Sequence, residues 1–590
     1  MPNGEMQLIA YGAQDIYLTG NPSITFFKFM YQRHTNFATE YIRQDFETIP
    51  NFNTENRTKA KCKINRNGDL ISDIYLVYDL PDIYSGPKMK ISHETGALSF
   101  ANDDENADYF RWINNLGENI INTVELLVDG HLIDSQYGIW MNIWNELTID
   151  KSKRKSYDMM IGNNSMLTNP SLYNGPYKGK SSLSSNNEDV NNKPTINAYR
   201  LYIPLPFWFC YNPGLAIPLI ALQYNELYVY IEFNQLNDLF TVGNPAVSPE
   251  AIFNQDYLNE YGANYETNTS GTKPNNLNLS TELASNGYSK SNLLYKYING
   301  TKDNSSSWKQ NCYLDVNYIF LDKEERRKFA SISHEYLITQ VQSNHFLLNN
   351  NTSESISGSK NTLNLLFNHP VKEFVWVIRR TDVDKRNQWN NYTISTYDYD
   401  LYDNKNNYLQ NYNKSVVSSQ NLTDIDSYHP IKIFDILNYS QGKNSGFSDS
   451  TNPKNSSINP YYDINDFTNR NSDCFNNIEN IMYSAKLIFN GNDRFSLKDN
   501  HFFNYLQPYK YHTNTPSSGV NVYSFALNPE ESQPSGTVNT SRLNSLQLEI
   551  NTRSINSSNT YDFGYEIFVF ALNINVLRIM GGIGGLVFSN

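Results

Sequence analysis

The sequence is short of cysteine, of unbroken apolar runs and of positive charge, and each shortage removes a class of protein. Its 590 residues include four cysteines, Cys62, Cys210, Cys312 and Cys474, with no CxxC pair. Neither a zinc site nor a small disulfide scaffold is therefore indicated. A reducing compartment suits such a chain, with a long-range disulfide left open. Lysine and arginine number 47 against 60 acidic residues, a formal net charge of −13. A coat laid on nucleic acid needs clustered Lys and Arg against phosphate, so no direct nucleic-acid contact is expected. The most apolar segments are "IPLPFWFCYNPGLAIPLIAL" from Ile203 and "VLRIMGGIGGLVF" from Val576. Four prolines break the first; the second falls short of the roughly 20 residues a membrane span needs and contains Arg578. Both read as buried or contact segments. The opening "MQLIAYGAQDIYLTGNPSITFFKFMYQRHTNFA" lacks the basic start, apolar core and cleavage site of a secretory signal, and so reads as part of the mature structure.

Recognisable chemistry is equally sparse. The nine histidines form no HxH, HExxH or His/Cys cluster, and no GxSxG elbow occurs. His34 and His369 read as turn or packing residues. The tail glycines Gly581, Gly582, Gly584 and Gly585 lack the Lys-Ser/Thr of a phosphate loop, and serve a tight turn or a close backbone approach. No catalytic residue, cofactor or metal ligand is expected; a metal site assembled in space, as in cupin-like enzymes, is the enzymatic alternative. The basic run "KSKRK" at 151–155 reads as a solvated loop. Asn-x-Ser/Thr triplets at Asn268, Asn278, Asn299, Asn391 and Asn438 are expected by chance in so Asn- and Ser-rich a chain.

What is present is β patterning. In "DLISDIYLVYDL" Leu70, Ile74, Leu76, Tyr78 and Leu80 alternate onto one face, and in "NELYVYIEF" Leu227, Val229, Ile231 and Phe233 do the same. "VELLVDGHLID" sets Asp129-Gly130 between two apolar runs, a hairpin signal because both residues tolerate positive φ. The plan then recurs. "VELLVDG" is matched by "AKLIFNG" ending at Gly491, "YNELYVYIEF" by "LNSLQLEI", and "CYLDVNYIFLD" by "YEIFVFALNIN", in the same order. Two β domains are expected around the charged, helix-competent "LDKEERRKFASISHEYL", each with enough strands for a sandwich. The polar stretches at about 234–311 and 381–473 are too long for ordinary connections and read as surface insertions. Asn21-Pro22 is a helix-start signal, with Ile24, Phe27 and Tyr31 at helical spacing behind it. It predicts an extended arm running into a short amphipathic helix.

Six segments carry a resemblance along the whole chain. They are the arm "QLIAYGAQDIYLTGNPSITFFKFMYQRHTNF", then "LYIPLPFWFCYNPGLAIPLIALQYNEL", "LDKEERRKFASISHEYLI", "FNHPVKEFVWVI", "SGTVNTSRLNSLQLEI" and "NVLRIMGGIGGLVFSN". In this order they resemble the major capsid proteins of the nucleocytoplasmic large DNA viruses of eukaryotes. The resemblance implies an all-β fold of two tandem eight-stranded jelly-roll sandwiches, a double jelly roll, with long loop insertions and a short N-terminal arm and helix. It divides the chain into an arm over 1–37, a first jelly roll over 38–322, a connector over 323–337 and a second jelly roll over 338–590. It further implies a homotrimer forming a pseudo-hexagonal capsomer that tiles an icosahedral shell. Its partners would be neighbouring capsomers, penton and minor capsid proteins, near but not inserted in an internal membrane. Ile24, Phe27, Tyr31 and Arg33 of the arm become the expected inter-capsomer or minor-protein contacts. The location implied is the outer capsid of the virion, assembled in the host cytoplasm, with glycans on the outer loops left open. The alternatives are a paralogous minor capsid or scaffold protein, or a glycan-binding surface protein of the same particle.

Overall fold

Strand follows alternation closely in this chain. The computed structural model describes residues 3–48, 50, 57–83, 89–91, 98–100, 109–168, 196–243, 252–253, 311–348, 359–381, 383, 387–393, 480–553 and 564–588. The first half supplies β1 (Phe37–Gln44), β2 (Thr58–Ile64), β3 (Leu70–Leu80) and β4 (Ile121–Val128). It continues with β5 (His131–Tyr137), β6 (Tyr199–Pro204), β7 (Leu227–Phe233) and β8 (Cys312–Leu321). The second half supplies β9 (His334–Leu348), β10 (Ser359–Asn364), β11 (Pro370–Arg380) and β12 (Met482–Phe489). It ends with β13 (Asn492–Asp493), β14 (Val520–Ser524), β15 (Leu546–Thr552) and β16 (Tyr565–Met580).

These strands form four antiparallel sheets. In the first half the orders are β1, β8, β3, β6 and β2, β7, β4, β5; in the second, β9, β16, β11, β14 and β10, β15, β12, β13. Each strand of the second half thus occupies the place of the strand eight before it. The three repeats expected from sequence are the pairs β4/β12, β7/β15 and β8/β16. The repetition reaches single residues. Asp129-Gly130 and Asn490-Gly491 turn their hairpins with φ of 52° and 79°, and 52° and 80°, the left-handed pair that matches strand twist. Ser72 in β3 and Lys372 in β11 are each skipped in the pairing with the neighbouring central strand.

That bulge corrects one alternation. Ile74, Leu76, Tyr78 and Leu80 enter the first core, but Leu70 joins a separate cluster with Ala216 and Ile319, and Ile71 takes the core position. An extra residue at Ser72 reverses the facing of everything before it. β7 keeps its phase, with all four apolar residues in the first core. In the second half, β11 is buried almost throughout. Phe374, Trp376 and Ile378 fill the second core, while Val375 and Val377 face outward. Their cover is α4 (Gly138–Thr148) of the first half, which follows α1 (Asn3–Ile9), α2 (Ile16–Thr19) and α3 (Leu116–Ile120) in the chain. Trp140, Ile143, Trp144 and Leu147 of α4 pack on Val341, Val375, Val377, Val520, Val522, Phe570 and Leu572. Burying side chains of this size stabilises by about 1.5–3 kcal/mol each, so the seam between the halves is itself an apolar core. The continuous apolar run of β11 reports burial on both faces.

Several expectations change. "KSKRK" opens a helix, α5 (Lys151–Ile161), rather than a loop: the Asp150 carboxylate accepts from Ser152 N at 2.8 Å, and Tyr157 and Ile161 are buried beneath the charged face. The connector forms α6 (Lys323–Ser331), capped by Asp322, which accepts from Glu325 N at 2.9 Å. β9 starts at His334, so the last residues assigned to the connector are strand. The two polar insertions begin later than expected. Leu236, Leu239 and Phe240 are buried in the first core, and Phe240–Gly243 pairs with Tyr109–Trp112. Asn387 Nδ2 donates to Phe240 O at 2.7 Å and Trp389 Nε1 to Asp238 O at 2.9 Å, tying the roots of the two insertions together. Residues 244–251, 254–310 and 394–479 lie outside the described residues, and with them Cys474, Asn268, Asn278, Asn299 and Asn438. Asn391 is buried, and its Oδ1 accepts from Thr393 Oγ1 at 2.8 Å. Cys62, Cys210 and Cys312 are free thiols.

Candidate assembly interface

The arm differs from the rest of the described residues in its exposure. α1 and α2 lie before Asn21, and residues 20–36 contain no helix. This reverses the expected order of arm and helix. Asp15 organises the end of the helical part: it accepts from Gly12 N at 2.7 Å through Oδ2, and from Thr19 Oγ1 at 2.8 Å through its carbonyl. Asn21 has φ of 49°, a left-handed residue just beyond the helix, so Asn21-Pro22 closes a helix instead of opening one.

Ile24, Phe27, Tyr31 and Arg33 therefore share no helical face. Each stands in solvent: Phe27 is 98% exposed, Tyr31 73% and Ile24 70%, and Arg33 is exposed as well. Phe26, Phe29 and Met30, which helical spacing passed over, are as open. The signal for them was the density of aromatic residues rather than their period. In total thirteen large apolar side chains between Met6 and Tyr31 are exposed, far beyond the scattered apolar residues of an ordinary surface. The arm is rooted firmly. His34 Nδ1 lies 2.7 Å from Thr35 O, its ring stands 6.0 Å from that of Phe37, and β1 then pairs residue for residue with β8 from Phe37 to Gln44.

The C-terminal strand packs on the end of β16. Ile583–Leu586 pairs with the end of β16, whose Ile579 is opposite His334, just beyond α6. Gly581 and Gly582 have φ of 61° and 85°, and a Cβ on Gly582 or Gly584 would meet Tyr224 or Leu222 at 2.6 Å. The glycines thus serve both roles expected of them, a turn and a close approach. Leu577 and Ile579 belong to the first core although they lie in the second half. Met580, Ile583 and Phe588 are exposed here.

Among the described residues no group of three or more His, Cys, Asp or Glu side chains is placed to hold a metal ion, and no helix is long and apolar enough to cross a membrane. His369 is buried, with φ of 68°, and its backbone N donates to Ser541 Oγ at 2.8 Å.

Comparison with known proteins agrees with this architecture. Residues 25–322 match the family model "Major capsid protein N-terminus", and residues 325–585 match "Large eukaryotic DNA virus major capsid protein". The major capsid protein of Phaeocystis pouchetii virus is 35% identical and that of Chrysochromulina ericina virus 32%, each aligned over the full length of both chains. That of Paramecium bursaria Chlorella virus 1 is 29% identical, again over both full chains. Among solved structures, PBCV-1 VP54 superposes with a TM-score of 0.56 at 24% identity, covering 96% of this chain and all of the other. The Faustovirus major capsid protein gives 0.56 at 14% identity, covering 97% and 94%. These relatives are structural proteins rather than enzymes, and the chain belongs to the major capsid proteins of large eukaryotic DNA viruses, folded as a double jelly roll.

Proposed function

We propose that three copies associate into a homotrimeric capsomer that tiles the icosahedral outer shell of the virion, and that the arm carries contacts to neighbouring capsomers and minor capsid proteins. Three chains of two like domains present six similar units around one axis, a nearly hexagonal outline suited to a closed lattice. The division of labour follows the expected boundaries: arm before about residue 38, two jelly rolls as the brick, and polar insertions facing outward. Assembly takes place in the host cytoplasm. The observation that carries this reading is the contrast within the first half: a β1 root zipped to β8, preceded by thirteen solvent-exposed large apolar side chains. An apolar segment this exposed marks a surface that a partner covers. Ile24, Phe27, Tyr31 and Arg33 remain the proposed contacts, joined by Phe26, Phe29 and Met30.

Light scattering after size exclusion tests the first step. A species of three times the 68.0 kDa chain mass supports the trimer. A stable monomer under assembly conditions contradicts it and favours a minor or scaffold role.

A further inference from the structure

A histidine is held between two carboxylates where the two jelly rolls meet. His512 follows the short helix Gln507–Tyr511. Its Nε2 lies 2.9 Å from Glu373 Oε2 on β11, and its Nδ1 lies 3.0 Å from Glu530 Oε1 in the loop after β14. The side chains of His512 and Glu373 are fully buried, and that of Glu530 is 23% exposed. A neutral imidazole has one N–H and one lone pair, so either tautomer would turn a lone pair onto a carboxylate. Only the imidazolium donates to both.

The residues after His512 bind the other jelly roll. Asn514 N donates to Leu147 O at 2.9 Å, and its side chain donates to Ile149 O, both at the end of α4. Ser517 donates to Glu146 Oε2 from N at 3.0 Å and from Oγ at 2.8 Å. Trp144 of α4 stands edge-on to the His512 ring, with centroids 6.4 Å apart. Thr513 anchors the strap on Glu530 through N at 2.8 Å and Oγ1 at 2.6 Å. We propose that imidazolium His512 is the pin that fastens the 512–517 strap of the second jelly roll over helix α4 of the first, and that losing its proton in alkali loosens the joint between them.

Two of the groups around it, Glu373 and Glu530, favour the pin, while Lys372 next to Glu373 is a cation. From β11 come Lys372 and Glu373; from the loop, Glu530 and Glu531; from α4, Glu146; and from the first jelly roll, Asp134 and Tyr211. Lys372 Nζ donates to Glu531 O at 2.8 Å rather than to Glu373. The adjoining cavity, about 20 Å³ and lined by Trp144, Tyr211, Lys372 and Glu530 among others, has room for about one water molecule, too little to solvate an abandoned carboxylate. Burial by itself pulls an imidazole down, but the Glu373 charge and the two carboxylate hydrogen bonds override it and raise His512 to about 9. Ordinary histidines switch near pH 6.5; this one stays charged through that range. The joint is therefore fully fastened below about pH 6.5 and weakens as pH rises through about 9.

Hydrogen exchange of the full-length protein, corrected for intrinsic rates, tests this on peptides spanning 510–520 and 138–148 between pH 7 and 10. Wild-type protection in both is expected to fall about tenfold or more over that range, since a lift of at least about one pKa unit above the ordinary value implies at least that factor, while the centre of β16 stays protected. His512→Gln is expected to show the loosened pattern already at pH 7 with no further step. Should that variant not fold, Glu530→Gln, with its partly exposed site, is expected to move the wild-type step toward lower pH. Protection in the wild type that is flat from pH 7 to 10, or an unchanged step in either variant, overturns the proposal.

Discussion

Arg326 of α6 reaches back to Asp69 at the start of β3, its Nη2 and Nε 2.8 and 3.1 Å from Asp69 Oδ2. The same oxygen accepts from Leu321 N at 2.8 Å. One carboxylate thus fixes the end of β8 and the helix leading to the second jelly roll. The two partners should differ in weight. Arg326 is half exposed, so Arg326→Ala is expected to cost under about 1 kcal/mol. Asp69→Ala strips Leu321 N of its acceptor and is expected to cost about 2–3 kcal/mol. Urea unfolding of both variants separates these outcomes; equal costs would mean the ion pair, not the backbone bond, matters.

Removing residues 1–35 is expected to leave the proposed trimer and its melting temperature unchanged and to abolish shell assembly, because the large apolar side chains from Met6 to Tyr31 are exposed rather than packed on the jelly rolls. Light scattering and electron microscopy of assembly mixtures read the two effects. Trimers that fail to form without the arm would reassign it to the capsomer itself.

Two glycines of similar φ should respond very differently to alanine. Gly491 turns its hairpin at φ 80° with open space around it, and Gly491→Ala is expected to cost about 1 kcal/mol. Gly519, at φ 96°, would bring its Cβ within 2.3 Å of Tyr392 O. Gly519→Ala is expected to cost about 3 kcal/mol or more, with displacement of the strap beside it. Denaturant midpoints that match for the two variants would contradict the contact.

Asp134 should make the protein less stable as pH rises from acid to neutral. It is buried on β5, accepting from Gln136 Nε2 at 2.8 Å and Ser135 N at 2.9 Å. Burial outweighs these bonds and lifts its carboxyl from 3.8 to about 7. The unfolded chain releases this proton from about pH 3.8 upward while the fold retains it to about 7, so stability falls across that window and is level above it. The loss is on the order of 4 kcal/mol at most. Unfolding midpoints at pH 4.5 and 8 should differ less in Asp134→Asn than in the wild type; an equal difference would place the charge elsewhere.

The residues that sequence reasoning reached and missed divide by distance along the chain. Alternation in β7, the Asp129-Gly130 turn and the threefold correspondence between the halves were readable because strand facing and turn conformation depend on neighbours a few residues apart. The family likeness was readable for the same reason, segment by segment. The charged run at 151–155 was misread because the Tyr157 and Ile161 that bury its helix lie just past it. Phe26, Phe29 and Met30 of the arm were missed because a helical period was imposed where Asn21 ends the helix.

The amino-acid sequence by itself determined two repeated β sandwiches, an apolar arm and membership among the capsid proteins. Only the tertiary structure decided how the sandwiches join. Glu373 meets His512 across 139 positions and Asn514 meets Ile149 across 365, and β11 is apolar on both faces because α4 of the other half covers it. Such contacts form between surfaces, and a surface exists only after each sandwich has folded.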